Sequence, residues 1–420
     1  MAELKEKLNI AVIGGGASGM TAAIFASKNK NVNVTIFERN ESLGKKLLST
    51  GNGHANISNE DLKYINKDNV DYYFHCDDED DLLSILNSFS FEQLMDFFKS
   101  IGIYVMNKNG YIYPYSNQAS AVLNAFANEI EKIENIEVCL NTKINNIKKA
   151  NDGYELFYKK GEHKYFDKVI MCSGGCAFPK SGSDGTSFYL LDLLNINYNK
   201  MLPALCECKT AEFSEAAGCR SNVSLCLRDD KKEVSNTYIG ELQINKDGLS
   251  GIVVFQISAI ASKRLAEGKK TYVCIDFLKD FDKDKLITDC RNYVLKNPKE
   301  RFSSFFNTLI SDKLIKQIFD KASIDYNIEN SSITDDEIDK MLTEAKNCNI
   351  LIDSVAGFDK AQTGTGGVAL SAVSANMEMQ DFTNLFLCGE ILDVDGICGG
   401  YNLSFAFITG ALAGMEASKC

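Results

Sequence analysis

Two apolar runs near the start of the chain have the pattern of strands that are buried on both faces. The first is Leu8–Ile13, and the second, Val34–Phe37, follows a helix-forming stretch from about Ala17 to Lys28. A strand, a helix and a second strand in this order form the first unit of a parallel sheet with helices packed against it. The pattern therefore predicts an α/β chain with a Rossmann-like domain.

Further periodic segments follow along the chain. Residues 81–100 and 119–134 carry apolar residues at helical spacing. Strand patterns follow at Ile136–Leu140, Tyr154–Tyr158 and Lys164–Met171. The glycine-rich, polar stretch Gly44–Asn56 fits neither pattern and predicts a long functional loop.

The pattern changes at about Met201 to short strands and turns, and then to helices rich in Lys and Asp. From Ile350 the chain becomes apolar and glycine-rich again. We expect a discontinuous dinucleotide-binding domain over residues 1–198 and 348–420, interrupted by a β-rich domain and a small helical domain. The predicted bounds of the two inserted domains are 199–281 and 282–347.

The first β-α-β unit carries the glycine pattern of an adenine-dinucleotide site. Gly14 allows a tight turn, Gly16 lets the backbone approach a pyrophosphate, and Gly19 lets the helix pack closely on the sheet. Glu38 lies 24 residues after Gly14, where a carboxylate binds ribose hydroxyls and repels a 2′-phosphate. FAD or NAD is therefore favoured over NADP, and FAD is preferred because no second unit of this type follows. The predicted contacts in this unit are Gly14, Gly16, Ala17, Ser18, Gly19, Glu38 and Arg39.

Two later segments extend the predicted site towards a flavin ring. A strand runs into Ser173, Gly174 and Gly175, where a backbone without side chains can approach a flat cofactor. The segment after Gly389 is rich in acids that suit ribityl hydroxyls, and Gly399-Gly400 opens a long apolar helix whose amides suit the flavin pyrimidine. The predicted contacts here are Gly389, Glu390, Asp395, Gly400, Tyr401, Asn402 and Leu403.

Charge and cysteine content narrow the function further. The 45 basic and 57 acidic side chains give a net charge of −12, which argues against a nucleic-acid partner. The 14 cysteines without a recognisable secretory signal suggest a reducing cytoplasm, and their spacing predicts no metal site. The apolar stretch Leu403–Met415 is too short to span a bilayer and predicts a buried helix. A small-molecule substrate, with neither nucleic acid nor membrane as partner, fits these properties. The oligomeric state is not encoded in any of them.

Six motifs give the chain its resemblance to a known family. They are Gly14–Gly19, Gly44–Gly53, Tyr113–Ser116, Ser173–Gly182, Gly366–Val368 and Gly389–Asn402. With them the sequence resembles the BaiN/YhiN-like flavoproteins, which include an aminoacetone oxidase and a proposed bile-acid-pathway dehydrogenase. The resemblance implies an FAD-binding Rossmann-like domain with an inserted β-barrel-like domain and a small helical domain. It adds six cofactor contacts in the glycine-rich loop, namely Lys45, Lys46, Ser49, Gly51, Asn52 and Gly53.

One loop departs from this family pattern. The family carries Gly-Arg-Cys-Asn where this chain has Gly53-His-Ala-Asn56, so an arginine charge and a thiol are missing near the expected flavin. His54 could handle a proton there, or it could be a solvated loop residue. Tyr401 and Tyr115 are further candidate proton donors, although buried tyrosines more often serve packing.

The sequence thus predicts an FAD-dependent oxidoreductase. The first hypothesis is a reductase of an activated C=C bond in a bulky apolar substrate, such as a steroid or bile-acid intermediate, with NADH or NADPH as electron donor. An amine or aminoketone oxidase that uses O2 is the second. A flavin-binding module in RNA modification or flavin-dependent sensing is the third.

Overall fold

The computed structural model describes residues 7–159 and 161–419, apart from the side chain of Asn52. The chain divides into two compact units. The first contains the residues up to 202 and those from 362 onwards, and the second contains residues 203–361.

The described strands follow each other in three groups. The first group is β1 (Leu8–Ile13), β2 (Val32–Phe37), β3 (Ser58–Asn59), β4 (Phe74–Cys76), β5 (Val105–Lys108), β6 (Tyr111–Pro114), β7 (Ile136–Cys139), β8 (Ile144–Ala150), β9 (Gly153–Tyr158), β10 (Glu162–Phe166), β11 (Lys168–Met171) and β12 (Asn199–Ala204). The second is β13 (Cys208–Lys209), β14 (Arg220–Arg228), β15 (Tyr238–Asn245), β16 (Gly248–Ser250), β17 (Tyr272–Asp276), β18 (Cys348–Leu351) and β19 (Ser354–Val355). The third is β20 (Thr363–Gly367), β21 (Leu385–Leu387) and β22 (Val394–Gly396).

Helices connect and cover these strands. They are α1 (Ala17–Ala26), α2 (Val70–Tyr73), α3 (Glu79–Ser88), α4 (Phe91–Ser100), α5 (Ala119–Lys132), α6 (Phe188–Leu193), α7 (Ile252–Ala266), α8 (Lys283–Lys296), α9 (Asp312–Ala322), α10 (Asp335–Lys346) and α11 (Tyr401–Ala417). Within the described residues, no helix combines the length and the apolar character that crossing a membrane requires.

A five-stranded parallel sheet is the centre of the first unit. Its strand order is β21-β11-β1-β2-β7, so the first strand of the chain lies in the middle. The inner strands β1 and β2 carry side chains that are buried on both faces, as the apolar runs predicted. The carboxyl ends of all five strands meet at one edge, where ligands bind in sheets of this kind.

The first and last helices of this unit pack closely against each other. Gly410 and Gly414 of α11 face α1 without side chains, and a Cβ on either would lie 2.4 Å or 2.3 Å from a backbone oxygen of α1. The apolar segment near the C-terminus is therefore a buried helix of the sheet domain.

The second unit is built on a seven-stranded sheet with the order β18-β17-β14-β15-β16-β13-β19. Helix α7 lies along this sheet, and its buried face includes Val253, Val254 and Ile257. Helices α8, α9 and α10 belong to the same compact unit. The division of this region into a β-rich domain and a separate helical domain stays a prediction.

The predicted fold class, α/β with a Rossmann-like dinucleotide domain, is confirmed. One local prediction was wrong, because Leu47–Gly53 forms a 3₁₀ helix inside the segment predicted to lack helix. The helical spacing of residues 81–100 belongs to two helices, α3 and α4, and Ser90 caps α4 in a capping box with Gln93.

Candidate flavin site

The glycines at the turn after β1 are of two kinds. At two of them a side chain would overlap backbone atoms, and at the third it would enter open space. Gly14 has φ +104°, and a Cβ there would lie 2.4 Å from the carbonyl oxygen of Cys172. A Cβ on Gly19 would lie 1.9 Å from the oxygen of Gly14. By contrast, no atom lies within 4 Å of the position that a Cβ on Gly16 would take. Gly16 therefore borders open space at the N-terminus of α1, which is where a pyrophosphate binds in dinucleotide folds.

Glu38 follows β2 directly and is buried beside this turn. Its Oε2 accepts a hydrogen bond from the backbone N–H of Gly15 at 2.9 Å. Its Oε1 accepts from the backbone and the side-chain amide of Asn40, both at 2.8 Å. A carboxylate has about four acceptor positions, so one remains for a further donor such as a ribose hydroxyl.

A cleft opens at this edge of the sheet, and its empty space, counted together with the adjoining open solvent, is about 790 Å³. Its lining includes Gly14, Gly16, Glu38, Arg39, Lys45, Lys46, Ser173 and Gly174. Eight of the predicted cofactor contacts therefore share one cavity, although they come from four separate segments of the chain.

Arg39 holds the far wall of the cleft. Its guanidinium donates to Asp184 at 2.7 Å, to Thr186 at 3.1 Å and to the carbonyl of Gly182 at 3.3 Å. Partial burial favours a higher pKa for Asp184, but the hydrogen bonds from Arg39 and Thr186 outweigh it and lower that pKa. Arg39 thus positions the loop that follows β11.

Glu390 joins four segments of the site. Its Oε1 accepts from the Thr363 hydroxyl and the Gly364 N–H, both at 3.0 Å. Its Oε2 accepts from Lys46 Nζ at 2.5 Å and from the Gly175 N–H at 3.3 Å. All four acceptor positions are used by donors of the protein. Its role as a ribityl ligand stays a prediction, and that role requires one of these donors to be displaced.

Asp395 is paired with a histidine that sequence analysis left without a role. Strand β22 pairs with β4, which sets Asp395 opposite His75. The Asp395 Oδ2 lies 2.8 Å from His75 Nδ1. The other polar atoms of both side chains, Asp395 Oδ1 and His75 Nε2, are buried without a hydrogen-bond partner. No local pattern around His75 identifies it, because its partner lies 320 residues away.

The N-terminus of α11 lies beside the glycine-rich loop. Gly400 caps the helix with φ +95°, and a Cβ there would lie 2.6 Å from the oxygen of Ser58 and 2.9 Å from Asn56 Oδ1. That Asn56 oxygen is buried and has no hydrogen-bond partner. The Asn402 side chain bonds back to the N–H and the carbonyl of Gly396, at 2.9 Å and 2.6 Å, and so shapes the loop before the helix. Leu403 is partly buried in the first turn.

The three predicted catalytic residues lie in different surroundings. Tyr401 is buried, and its hydroxyl donates to Asp61 at 3.2 Å. Burial and the Asp61 carboxylate raise the pKa of Tyr401 well above its ordinary range. His54 is exposed, with Nδ1 3.1 Å from the carbonyl oxygen of Asn117. Tyr115 is 73% exposed and lies in the turn before Asn117.

The remaining predicted contacts surround these groups. Gly389 has φ +76°, and a Cβ there would lie 2.7 Å from the hydroxyl of Ser18 in α1. Gly175 is buried against Glu390, and Ala17 begins α1. In the glycine-rich loop Ser49, Gly51 and Gly53 are exposed. The side chain of Asn52 lies outside the described part of the chain.

The residues of this site fit a bound FAD on their own geometry. Gly16 leaves open space at a helix N-terminus, and Glu38 keeps one acceptor position. Three further buried polar atoms lack partners, namely Ser173 Oγ, Asn56 Oδ1 and Asp395 Oδ1. Buried polar atoms are rarely left without a partner, so these three indicate a polar ligand.

Comparison with known proteins agrees with this geometry. Residues 8–416 match the family described as HI0933-like protein Rossmann domain. The 3-dehydro-bile acid delta(4,6)-reductase of Clostridium scindens is 32% identical, over 98% of this chain and 99% of that protein. The ribosomal RNA dihydrouridine synthase of Escherichia coli is 22% identical, over 96% of each.

Among solved structures, the 3-ketosteroid delta1-dehydrogenase of Sterolibacterium denitrificans has the same fold. Its TM-score is 0.51 at 11% identity, and the match covers 99% of this chain and 100% of that one. The predicted resemblance and the predicted FAD-dependent oxidoreductase are confirmed. The chain belongs to the HI0933-like protein Rossmann domain family.

Proposed function

We propose that the chain reduces an activated carbon–carbon double bond in a bulky apolar enone of the steroid or bile-acid type. The observation that carries this proposal is the relative at 32% identity, whose name denotes such a reductase and which aligns along nearly its entire length. Three buried polar atoms of the site have no hydrogen-bond partner, namely Ser173 Oγ, Asn56 Oδ1 and Asp395 Oδ1. They support a redox cofactor that is held away from water. NADH or NADPH is the proposed electron donor.

Bound FAD would pass an electron pair between the nicotinamide and the enone. The chain supplies the surroundings for this transfer. The turn at Gly14–Gly16 and the N-terminus of α1 would hold the pyrophosphate, and Glu38 would bind a ribose hydroxyl. The N-terminus of α11 would stabilise negative charge on the flavin pyrimidine, because helix N-termini carry a partial positive charge.

Reduction of an enone also needs a proton at the carbon next to the carbonyl. We assign it to Tyr401, because this tyrosine is buried in the first turn of α11, where the flavin pyrimidine is expected, and a tyrosine hydroxyl carries its proton at neutral pH. His54 and Tyr115 are exposed, so protons there exchange directly with water. Asp61 accepts the Tyr401 hydrogen bond and orients the hydroxyl.

Tyr401→Phe tests this assignment. The ring still packs near Tyr73 and Phe74, so we expect FAD to bind normally. Losing a general acid slows proton transfer about 10²- to 10⁴-fold, and reoxidation by the enone should slow accordingly. The measurement is flavin absorbance in stopped flow. Asp61→Asn is the matched control, because it keeps an acceptor for the hydroxyl. An unchanged rate in Y401F would exclude Tyr401 as the donor.

The substrate class is tested with reduced protein. The full chain is reduced without oxygen by NADH or NADPH and then mixed with a 3-keto-4-ene steroid, with air, or with ribosomal RNA. We expect fast reoxidation by the enone, slow reoxidation by air, and no change with the corresponding saturated 3-ketosteroid. Fast reoxidation by air alone would identify an oxidase.

The RNA arm of this experiment addresses the more distant relatives. The names of both relatives, delta(4,6)-reductase and dihydrouridine synthase, denote addition of hydrogen to a carbon–carbon double bond. The net charge of −12 disfavours a polyanionic substrate. Reoxidation by RNA, with dihydrouridine formed and no response to the steroid, would replace the proposed substrate class.

A further inference from the structure

Two cysteines of the second unit lie directly opposite each other on neighbouring antiparallel strands. In the pairing of β14 with β17, Cys226 is the partner of Cys274. Cα atoms of directly opposed residues in such a pair are about 4.5–5.5 Å apart. Disulfides join Cα atoms that are about 4.4–6.8 Å apart. The two cysteines therefore meet the backbone requirement for a disulfide without movement of the strands.

The pair lies on the more accessible face of this sheet. On β14 and β17, the neighbours that share the face of the two cysteines are all partly exposed. They are Ser224, Arg228, Tyr272 and Asp276. The side chains that alternate with them, among them Leu227 and Val273, are fully buried. Cys274 keeps 9% of its surface exposed, so a small oxidant can reach it.

The groups around the pair shift the pKa values of the two thiols in opposite directions. The hydrogen bond from Cys226 and the guanidinium of Arg228 lower the pKa of Cys274 below its ordinary value, against the opposing effects of burial and of Glu233. The pKa of Cys226 is raised, chiefly by that same hydrogen bond and by burial. The Cys274 thiol also donates to the side-chain amide oxygen of Asn347 at 2.7 Å, a contact that by itself favours the protonated form. Because the guanidinium of Arg228 favours the Cys274 thiolate, Cys274 is suited to attack, and Cys226 to remain a thiol until a second step.

We propose that Cys226 and Cys274 form a redox-active dithiol that hydroperoxides oxidise to an intramolecular disulfide. The Cys274 thiolate attacks the peroxide, the O–O bond breaks, and a sulfenic acid and hydroxide form. The Cys226 sulfur then attacks the Cys274 sulfur, the S–O bond breaks, and the disulfide forms. Two thiols and one hydrogen peroxide yield one disulfide and two waters, and a dithiol reductant reverses the change.

A second cysteine pair in the same chain is a natural control. The sulfur atoms of Cys172 and Cys388 lie 3.0 Å apart at the edge of the parallel sheet. Both side chains are buried, and burial raises the pKa of Cys172 well above its ordinary value. This pair has proximity with less exposure, since Cys172 and Cys388 are 4% and 0% exposed, against 5% and 9% for Cys226 and Cys274. If proximity alone determined oxidation, both pairs would react.

The test uses the full chain, reduced, freed of reductant and treated with a few equivalents of hydrogen peroxide. Remaining thiols are alkylated before digestion with trypsin. The peptides Ser221–Arg228 and Thr271–Lys279 contain one cysteine each, so a bridge between them is unambiguous. We expect these peptides linked, two hydrogens lighter, and released by dithiothreitol. Recovery of both as alkylated peptides, or a bridge from Cys172 to Cys388 instead, would overturn the proposal.

Substitutions separate the roles of the two thiols. In Cys226→Ser we expect Cys274 to stop at the sulfenic acid, trapped by dimedone as an adduct. In Cys274→Ser we expect neither bridge nor adduct at this site. A trapped sulfenic acid at Cys226 in that variant would show that Cys226 reacts with the peroxide, and the attacking role assigned to Cys274 would be wrong. Thermal unfolding and FAD content, measured beside each, confirm that the variants fold.

The reactivity of Cys274 gives an independent measurement. A thiol whose pKa lies below the ordinary value of 9.0 holds more thiolate at pH 7 than an ordinary thiol. We expect iodoacetamide to modify Cys274 correspondingly faster than an ordinary thiol. Arg228→Gln should move the pH profile of this alkylation upwards, and Arg228→Lys should restore part of the shift. A profile that does not change in R228Q would contradict the proposed contribution of Arg228.

Discussion

The two ends of the candidate flavin site use buried or partly buried carboxylates in different ways. At the nucleotide end, Glu38 contacts groups within 23 residues of itself and keeps one acceptor position. At the C-terminal end, Glu390 and Asp395 contact groups up to 344 residues away, and Glu390 has no free acceptor position. A carboxylate near a cofactor is therefore not by itself a ligand. What its oxygens already accept decides whether it binds the cofactor or holds the protein together.

The largest effect on stability is expected at the glycine turn. There Gly14 is required by the backbone conformation, whereas Gly16 borders open space. Gly14→Ala places a Cβ 2.4 Å from a backbone oxygen at φ +104°. Such strain and overlap cost about 3 kcal/mol or more, so we expect a large fall in the free energy of unfolding.

Gly16→Ala is the matched control, because its Cβ enters open space and its φ is −79°. We expect unchanged unfolding of the flavin-free chain and a loss of FAD affinity. Urea unfolding and FAD fluorescence measure the two quantities. Equal loss of stability in both variants would show that Gly16 also serves packing.

The two glutamates should also differ in what their substitution changes. For Glu390 the main effect is expected on stability, and for Glu38 it is expected on FAD affinity. Glu390→Gln turns an amide donor towards groups that are themselves donors, which costs about 1–3 kcal/mol of unfolding free energy. Glu38→Gln also turns an amide towards a protein donor and so costs some stability, and because it removes the charge that favours a ribose hydroxyl, FAD affinity should fall in addition, about ten- to a hundredfold. Denaturation of the flavin-free chain and flavin titration are the measurements. If E390Q kept full stability but lost FAD, Glu390 would be a ligand.

The pair of His75 and Asp395 gives a smaller effect. His75→Leu leaves the buried Asp395 carboxylate without its ring donor, and we expect a loss of about 1–3 kcal/mol in unfolding free energy. His75→Asn keeps a side-chain donor near the position of Nδ1 and should recover part of that loss. Equal stability of the leucine variant and the unchanged protein would mean that the pair carries no net stabilisation.

The smallest effect is expected at Arg39 and Asp184. The folded-state pKa of Asp184 is lowered, so its ion pair stabilises the fold above the ordinary aspartate pKa, and this contribution disappears as the pH falls through the folded-state pKa. Because both side chains are partly exposed, Asp184→Asn should cost less than about 1 kcal/mol at pH 7. Urea unfolding should show that this difference vanishes in acid. A difference that persists there would have another cause.

Local patterns predicted some elements better than others. The capping box of Ser90 and Gln93 is visible in the sequence and could have located the break between α3 and α4. The 3₁₀ helix at Leu47–Gly53 has no comparable signal, because glycines at 51 and 53 weigh against any helix. Its position depends on contacts with α5 and on the ion pair of Lys46 with Glu390.

The same distinction applies to the site. The sequence by itself determined the parallel sheet, the glycine turn and Glu38, because periodicity, glycine spacing and a nearby acid act over a few tens of residues. Only the tertiary structure decided that Glu390 is saturated, that Asp395 pairs with His75 and that Cys226 faces Cys274. These contacts depend on which strands become neighbours and in which register. Both are properties of the whole fold, so no local pattern encodes them.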